Sequence, residues 1–592
     1  MDLHLTSDEP TGDERTAVDA VVDAGITATG TATGPDGTHA ARGGRLVRDR
    51  RTLLLPALLA LVDRVGWVSP AGLGHVCRRL GVPPAEAYGV ASFYALIPLQ
   101  APATTTVAHV CVDLACRMAP AAGELRQRLA GQPDLSVLDS PCLGLCDRAP
   151  AALVSTPGPT PQHHVEAAEA RPIPQRGDDA LVLLRRVDTV DPGDLDAYRA
   201  AGGYAALRRA IELGPAAVVA EVEAAGLVGR GGAAFPTGRK WAAVAAQPVR
   251  PHHLVCNADE SEPGTFKDRV VLEGDPFAVI EAMTVAAFAT GCERGWIYLR
   301  AEYPLARHRL EHAIATARAA GLLGADVAGA GFAFDIEVFR GAGAYICGEE
   351  TAIFNSIEGH RGEPRSKPPF PVEVGLFGRP TLVNNVETLV NVLPILTEGA
   401  GAYRRAGTDG SPGTKLFCLS GSVRVPGVYE VPFGTTLRQL VELAGGLADG
   451  RSVRAVLLGG AAGSFVGPEQ LDLPLTFEAT RAAGATVGSG VVLVIDDGTD
   501  LADLVRRIAA FFRDESCGQC VPCRVGTVRQ EEALVRLSAP GRSAAERAGD
   551  RLLLDEVGRA MRDASICGLG QTAWNAIESA LDRFELFGEP AS

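Results

Sequence analysis

Three thiols spaced C-x2-C-x2-C stand in Glu515-Ser516-Cys517-Gly518-Gln519-Cys520-Val521-Pro522-Cys523-Arg524. A tight loop that runs into a helix turns three such thiolates toward one centre, a recurring way of holding a 4Fe–4S cluster. The fourth ligand has one candidate downstream, Cys567 in Ala564-Ser565-Ile566-Cys567-Gly568-Leu569-Gly570, where glycines let backbone approach a bulky group closely. Four thiolates also suit a structural zinc ion, and spacing alone leaves that reading open. A second quartet pairs Cys111 and Cys116 (C-x4-C) with Cys142 and Cys146 (C-x3-C), which suits a 2Fe–2S cluster or zinc. It departs from the plant-type ferredoxin spacing, and four intervening residues are long for a zinc knuckle. Cys77, Cys256, Cys292, Cys347 and Cys418 stand alone and read as small buried hydrophobes.

A different chemistry is suggested by Gly229-Arg230-Gly231-Gly232-Ala233-Ala234-Phe235-Pro236-Thr237-Gly238-Arg239-Lys240-Trp241. Its glycines let amide N–H groups approach a phosphate, and Arg230 and Lys240 can neutralise one. It is neither a P-loop nor a dinucleotide fingerprint, so a plain flexible turn is the competing account. Two more polar, glycine-bearing segments come later in the chain, Asn257-Ala258-Asp259-Glu260-Ser261-Glu262-Pro263-Gly264 and Gly341-Ala342-Gly343-Ala344-Tyr345-Ile346-Cys347-Gly348-Glu349-Glu350. An isolated acidic run is usually a solvated face. Together with Asn384-Asn385, these segments point to a convergent polar pocket for a nucleotide or flavin.

The elements that must position these residues fill a chain of 592 residues, long enough for several cored domains. Hydrophobic residues are 46% and charged residues 21%, as in an ordinary globular protein, and the net charge of −15 argues against a nucleic-acid partner. No apolar run reaches a bilayer-spanning length, and the first residues lack a basic-then-apolar leader, so a cytoplasmic protein without direct membrane insertion is expected. Thirteen cysteines in a reducing compartment are then ligands or core residues and not a disulfide framework.

Along the chain, residues 1–45 are rich in Gly, Thr, Ala and Asp, and a disordered tail is expected there. Residues 46–160 read as a helical bundle followed by a small α/β unit: a β-branched run into Cys111, a helix over 121–129, and strands at 135–138 and 151–155. Residues 161–199 read as a linker. Residues 200–410 alternate strands and helices, 411–500 are strand-rich with Gly and Pro turns, and 501–592 are helical, interrupted at the cysteine cluster.

With these motifs in hand, residues 200–590 resemble the flavoprotein, NADH-binding subunit of respiratory complex I and its relatives, through GRGGAAFPTGRKW, NADESEPGTFKDR, GAGAYICGEE, EPRSKPPFP, LVNNVET, ESCGQCVPCR and ICGLG. Residues 50–160 resemble the thioredoxin-like 24-kilodalton partner subunit through GWVS, AYGVASFY and CLGLC. The chain therefore looks like a fusion of the two. The resemblance implies an α/β multidomain protein: helical bundle plus thioredoxin-like 2Fe–2S domain, Rossmann-like FMN domain, ubiquitin-like SLBB domain and C-terminal helical 4Fe–4S domain.

The resemblance further implies that Gly229, Arg230, Gly231, Gly232 and Lys240 hold the FMN phosphate and ribityl chain. Asn257, Asp259, Glu260, Tyr345, Gly348, Glu349 and Glu350 would line the flavin, with Asn384, Asn385 and Thr388 on its far side. Phe235, Glu262, Lys367 and Phe370 would face NADH, with Glu262 and Glu350 as the carboxylates at the reaction centre. Cys517, Cys520, Cys523 and Cys567 would carry 4Fe–4S, and Cys111, Cys116, Cys142 and Cys146 would carry 2Fe–2S. Ala234, where the family usually has glycine, and Ala242-Ala243 after Trp241 depart from the family pattern. The implied activity is a diaphorase: hydride exchange between NAD(H) and FMN, then single electrons into the clusters. Fusion with all four N-terminal cysteines kept is most like the beta subunit of an NAD-dependent formate dehydrogenase, whose molybdopterin catalytic subunit would be the partner. Complex I and bidirectional NiFe hydrogenases are the alternatives, and a zinc-stabilised scaffold without redox activity is the rival from another class.

Overall fold

The computed structural model describes residues 9–28, 50–448 and 450–587. Its first element corrects the expected tail. Gly12–Ala28 is a helix, packed on the helix Leu54–Val65 through the fully buried Val18 and Val22. Thr11 and Glu14 cap it reciprocally, and the buried Glu14 carboxylate also accepts from the Ser69 hydroxyl. Three valines at helical spacing (Val18, Val21, Val22) were hidden in polar text. The remainder of 1–45 lies outside the described residues except for Glu9 to Thr11. Helices Pro70–Leu80 and Pro84–Ala91 complete the bundle, the first capped by Ser69, which accepts from the Gly72 amide.

The bundle leads into a four-stranded sheet of order β2-β1-β3-β4, with β1 Thr106–Cys111, β2 Leu135–Ser140, β3 Ala152–Thr156 and β4 Gln162–Glu166. β1 runs parallel to β2 and antiparallel to β3. β4 lies in text read as linker, so the sheet extends beyond residue 160. The segment after β4 is no loose linker either. Ile173, Leu181, Leu183, Leu184 and Val187 are buried, and the Glu430 carboxylate accepts from the amides of Val182, Leu183 and Leu184.

The central sheet is all parallel, in the order β7-β6-β5-β8, with β5 His252–Ala258, β6 Cys292–Leu299, β7 Asp335–Arg340 and β8 Thr381–Asn385. The helix Pro276–Thr290, apolar all round, is buried against it, as expected of a helix enclosed within a layered core. Polar residues end β5 (Asn257) and β8 (Asn384, Asn385), so the carboxyl edge of the sheet is where a ligand crevice belongs. A second, five-stranded sheet of order β10-β9-β13-β11-β12 comprises β9 Thr414–Gly421, β10 Gly427–Pro432, β11 Val453–Leu458, β12 Ser464–Val466 and β13 Val491–Asp496. It closes its own core over the helix Leu437–Leu443. Helices Leu501–Asp514, Val521–Leu537, Ala544–Ala564 and Asn575–Arg583 form the last unit. Among the described residues no helix is long and apolar enough to cross a membrane.

Candidate redox site

The glycine-rich loop between the helices Pro215–Ala224 and Thr237–Ala245 is closed by the Gly229 amide donating to the Phe235 carbonyl. At its apex Gly232 has φ +114°, a conformation that excludes most side chains. The loop forms one wall of a cleft of about 450 Å³ at the carboxyl edge of the parallel sheet. Gly231, Gly232, Asn257, Asp259, Glu260 and Glu262 line it. Tyr345, Gly348, Glu349 and Asn385 complete the set of expected residues that the fold brings together there. Asn257 holds the opposite wall in place by donating from Nδ2 to the Gly348 carbonyl, 2.8 Å away.

Other expected residues lie behind this wall. The Arg230 guanidinium, 1% exposed, points away from the cleft: it donates to Tyr403 Oη and the Pro412 carbonyl and lies 4.6 Å over the Phe433 ring. Arg230 therefore braces the loop instead of facing the cleft as a phosphate counter-charge. Its amide donates to Thr388 Oγ1, and Asn384 accepts from Trp241 Nε1, so both of these polar side chains hold elements together. The cation that does line the cleft is Lys267, whose Nζ sits 2.7 Å from Asp268, 3.0 Å from Glu387 and 3.3 Å from Asn385 Oδ1. Within a run of charges it carried no signal distinguishing it from a solvated lysine. Lys415 joins the cluster from the five-stranded sheet, 2.6 Å from Glu387, and burial draws its ammonium down to about 8.

A charged and aromatic rim forms beside Glu349. Lys367 Nζ lies 2.8 Å from both Glu349 and Glu350, and Lys240 Nζ lies 3.6 Å from Glu350. Phe235 and Phe370 present rings that are 51% and 52% exposed.

The far wall comes from distant parts of the chain and was not read from the sequence. Gly459, Ala462, Thr486 and Ser489 supply it from the five-stranded sheet, and Gly568, Leu569 and Asn575 from the last unit. Glu262 spans the gap, accepting from the Ala462 amide at 2.9 Å and the Ser489 hydroxyl at 3.1 Å. Burial holds the carboxyls of Asp259, Glu260 and Glu262 above their usual range, the latter two up to about 7. The Gly459-Gly460-Ala461-Ala462-Gly463 run is the one feature of the sequence that could have pointed to this wall.

Both thiol quartets are assembled. Cys520 and Cys567 stand at the N-caps of two helices, Cys523 one turn into the first, and Cys517 in the preceding loop. Cys517, Cys523 and Cys567 are buried and Cys520 is half-buried. A side chain on Gly570 would come within 2.9 Å of Cys523 Cβ and 2.3 Å of Ser565 Oγ, so glycine is required beside the thiols. In the second quartet Cys111 ends β1, Cys116 lies in the helix Leu114–Met118, Cys142 follows β2, and Cys146 opens a 3-10 turn. All four are buried, with Cys142 Sγ 3.4 Å from Cys146 Sγ. The all-sulfur, buried donor sets fit iron–sulfur clusters.

Comparison with known proteins agrees with this geometry. Residues 222–394 match the Nuo51 FMN-binding domain, and residues 503–587 the NADH-ubiquinone oxidoreductase-F iron–sulfur binding region. Residues 44–168 match the thioredoxin-like 2Fe–2S ferredoxin and 416–463 the SLBB domain. The F 2 subunit of the NADH-quinone oxidoreductase of Rhizobium meliloti is 47% identical over 405 residues, 68% of this chain and 95% of that protein. The chain belongs to the complex I flavoprotein family. The corresponding F-type polypeptide of the Escherichia coli NADH-quinone oxidoreductase is 47% identical over 342 residues, 57% of this chain and 77% of that one. A crystal structure of an NAD+-reducing NiFe-hydrogenase in the H2-reduced state superposes with a TM-score of 0.76 at 34% identity, covering 91% of this chain and 92% of that one. This flavoprotein is thus an oxidoreductase acting on NADH, with FMN-binding, 2Fe–2S and 4Fe–4S domains on one polypeptide.

Proposed function

We propose that this chain is the electron-input module of a larger cytoplasmic assembly, exchanging hydride between NAD(H) and FMN and passing single electrons to its 4Fe–4S and 2Fe–2S clusters. One observation carries the reading: Gly568 and Leu569, directly after the thiol of Cys567, line the same cleft as Asn257, Asp259 and Glu260. Flavin pocket and cluster loop therefore share a wall. FMN, when bound, supplies the conversion between a two-electron donor and one-electron acceptors.

The protein's part is binding and orientation. Gly231 and Gly232 offer backbone amides and Lys267 a cation to a phosphate-bearing group. Phe235 and Phe370 offer rings to the nucleotide at the rim. Lys240, Lys367, Glu349 and Glu350 would frame its path, with Glu262 and Glu350 as the carboxylates assigned to the reaction centre.

The partner is a polypeptide with clusters of its own. A formate-oxidising, molybdopterin-bearing subunit is one candidate, on the resemblance of a fused chain with all four N-terminal cysteines kept. The near full-length likeness to an NAD+-reducing NiFe-hydrogenase chain supports a second reading, a hydrogen-oxidising partner. Purified anaerobically, the chain should contain about one FMN and iron for both clusters, and should reduce ferricyanide with NADH. Zinc in place of iron would refute the redox reading. In the native assembly, formate-dependent NAD+ reduction supports the first partner and hydrogen-dependent reduction without formate activity the second. Quinone-dependent turnover at a membrane would overturn both.

A further inference from the structure

The loop that carries Cys142 and Cys146 is held against the parallel-sheet domain by three buried residues, and each of them also holds Glu260. Arg300 is 2% exposed, and its Nη2 donates to the Cys142 carbonyl at 2.5 Å. Its Nη1 donates to the Glu260 carbonyl at the same distance. Arg269, 5% exposed, donates from Nε to the Gly144 carbonyl at 2.9 Å and pairs with Asp147 at 2.7 Å, while its amide donates to Glu260 Oε2 at 2.9 Å. Tyr303 donates to Glu260 Oε2 at 3.1 Å, and a side chain on Gly144 would come within 2.1 Å of its hydroxyl. Glu260 lines the nucleotide cleft, and Cys142 belongs to the thioredoxin-like quartet.

We propose that Arg300 is a positioning residue that couples the 2Fe–2S loop to the flavin side of the cleft: one buried guanidinium fixes the Cys142 carbonyl and the Glu260 carbonyl together. The physical basis is simple. Reduction adds one negative charge to the cluster, and a desolvated cation hydrogen-bonded to the ligand's own peptide stabilises that charge more than water would. The same cation orients the peptide that presents Glu260 to the cleft. Each site therefore responds to the other through a shared group, and the coupling is reciprocal. Glu302, 7% exposed with Oε1 2.9 Å from Arg300 Nη2, is the counter-ion that tempers the effect.

The test is a potentiometric electron-paramagnetic-resonance titration of the full chain and its Arg300→Gln variant, with FMN content measured in parallel. The variant should show at least a tenfold lower reduced-to-oxidised 2Fe–2S ratio at a fixed potential, about 59 mV for a one-electron couple. The 4Fe–4S midpoint should not move, and the FMN retained after equal dialysis should fall several-fold. A change in only one of the two readouts, or in neither, overturns the coupling. Where Arg300→Gln fails to assemble the cluster, Glu302→Gln decides: it leaves the cation without its counter-ion, so the 2Fe–2S midpoint must shift upward, and an unmoved midpoint overturns the inference. The inference rests on the 2Fe–2S assignment, and the two fail differently. A wild-type chain without a 2Fe–2S signal removes the assignment; a normal wild-type signal with unmoved variants removes the inference alone.

Discussion

Replacing Glu262 by Gln isolates the energetic and functional role of the one carboxylate that spans the cleft. Burial raises its carboxyl from 4.5 to about 7, opposed by hydrogen bonds from the Ala462 amide and the Ser489 hydroxyl. Because the folded value is the higher one, the fold binds this proton more tightly than the unfolded chain does. The associated stability is complete below pH 4.5 and is lost as pH rises through 7. A displacement of that size corresponds to about 3 kcal/mol at most, and since the side chain is half-buried and faces the cleft, water reduces this to about 1–2 kcal/mol. Glutamine keeps the acceptor for the Ala462 amide and carries no charge to desolvate. Urea unfolding of both proteins should give curves that meet near pH 4.5 and separate through pH 7, with the variant more stable by that amount at pH 8. In the same preparations the KM for NADH should rise more than the FMN content falls. Parallel stability curves across this window would refute a desolvated, charge-penalised Glu262. An emptied flavin site would refute its assignment to the nucleotide side.

Three further outcomes rest on named contacts. Cys520→Ser should abolish the 4Fe–4S resonance and leave the 2Fe–2S resonance intact, because the two quartets draw on separate segments; loss of both signals would contradict that division. Phe370→Ala should leave Tm unchanged, since the ring is 52% exposed, and raise the KM for NADH about 2–10-fold from a lost stacking contact of about 0.5–1.5 kcal/mol; an unchanged KM would remove the ring from the nucleotide path. Glu430→Ala strips acceptors from the amides of Val182, Leu183 and Leu184 and from the Thr414 hydroxyl. It should cost about 3–5 kcal/mol in thermal or urea unfolding, and a loss under 1 kcal/mol would show that water replaces the carboxylate.

What the sequence alone determined is the chemistry carried by short segments. Cys517, Cys520 and Cys523 lie within one loop and helix turn, so their convergence is a local matter, and Cys111 with Cys116 and Cys142 with Cys146 are likewise local pairs. The loop Gly229 to Pro236 and the strand ends Asn257 and Asn385 were legible for the same reason, since glycine-rich turns and polar strand termini mark a crevice within a few residues. Direction and partnership were not legible. Arg230 and Lys267 are both cations in polar text; only packing turned the first toward Tyr403 and the second into the cleft. The helix Gly12–Ala28 was lost because polar residues outnumbered its few buried ones, and strand β4 because four of its five residues are polar and it forms only by pairing with β3. The cleft's far wall, the Glu262–Ala462 bond across 200 residues, and the Arg300 tie between Cys142 and Glu260 exist only once separate domains are docked. Hydrogen bonds form between neighbours in space, and for these groups the chain order carries no record of who those neighbours are.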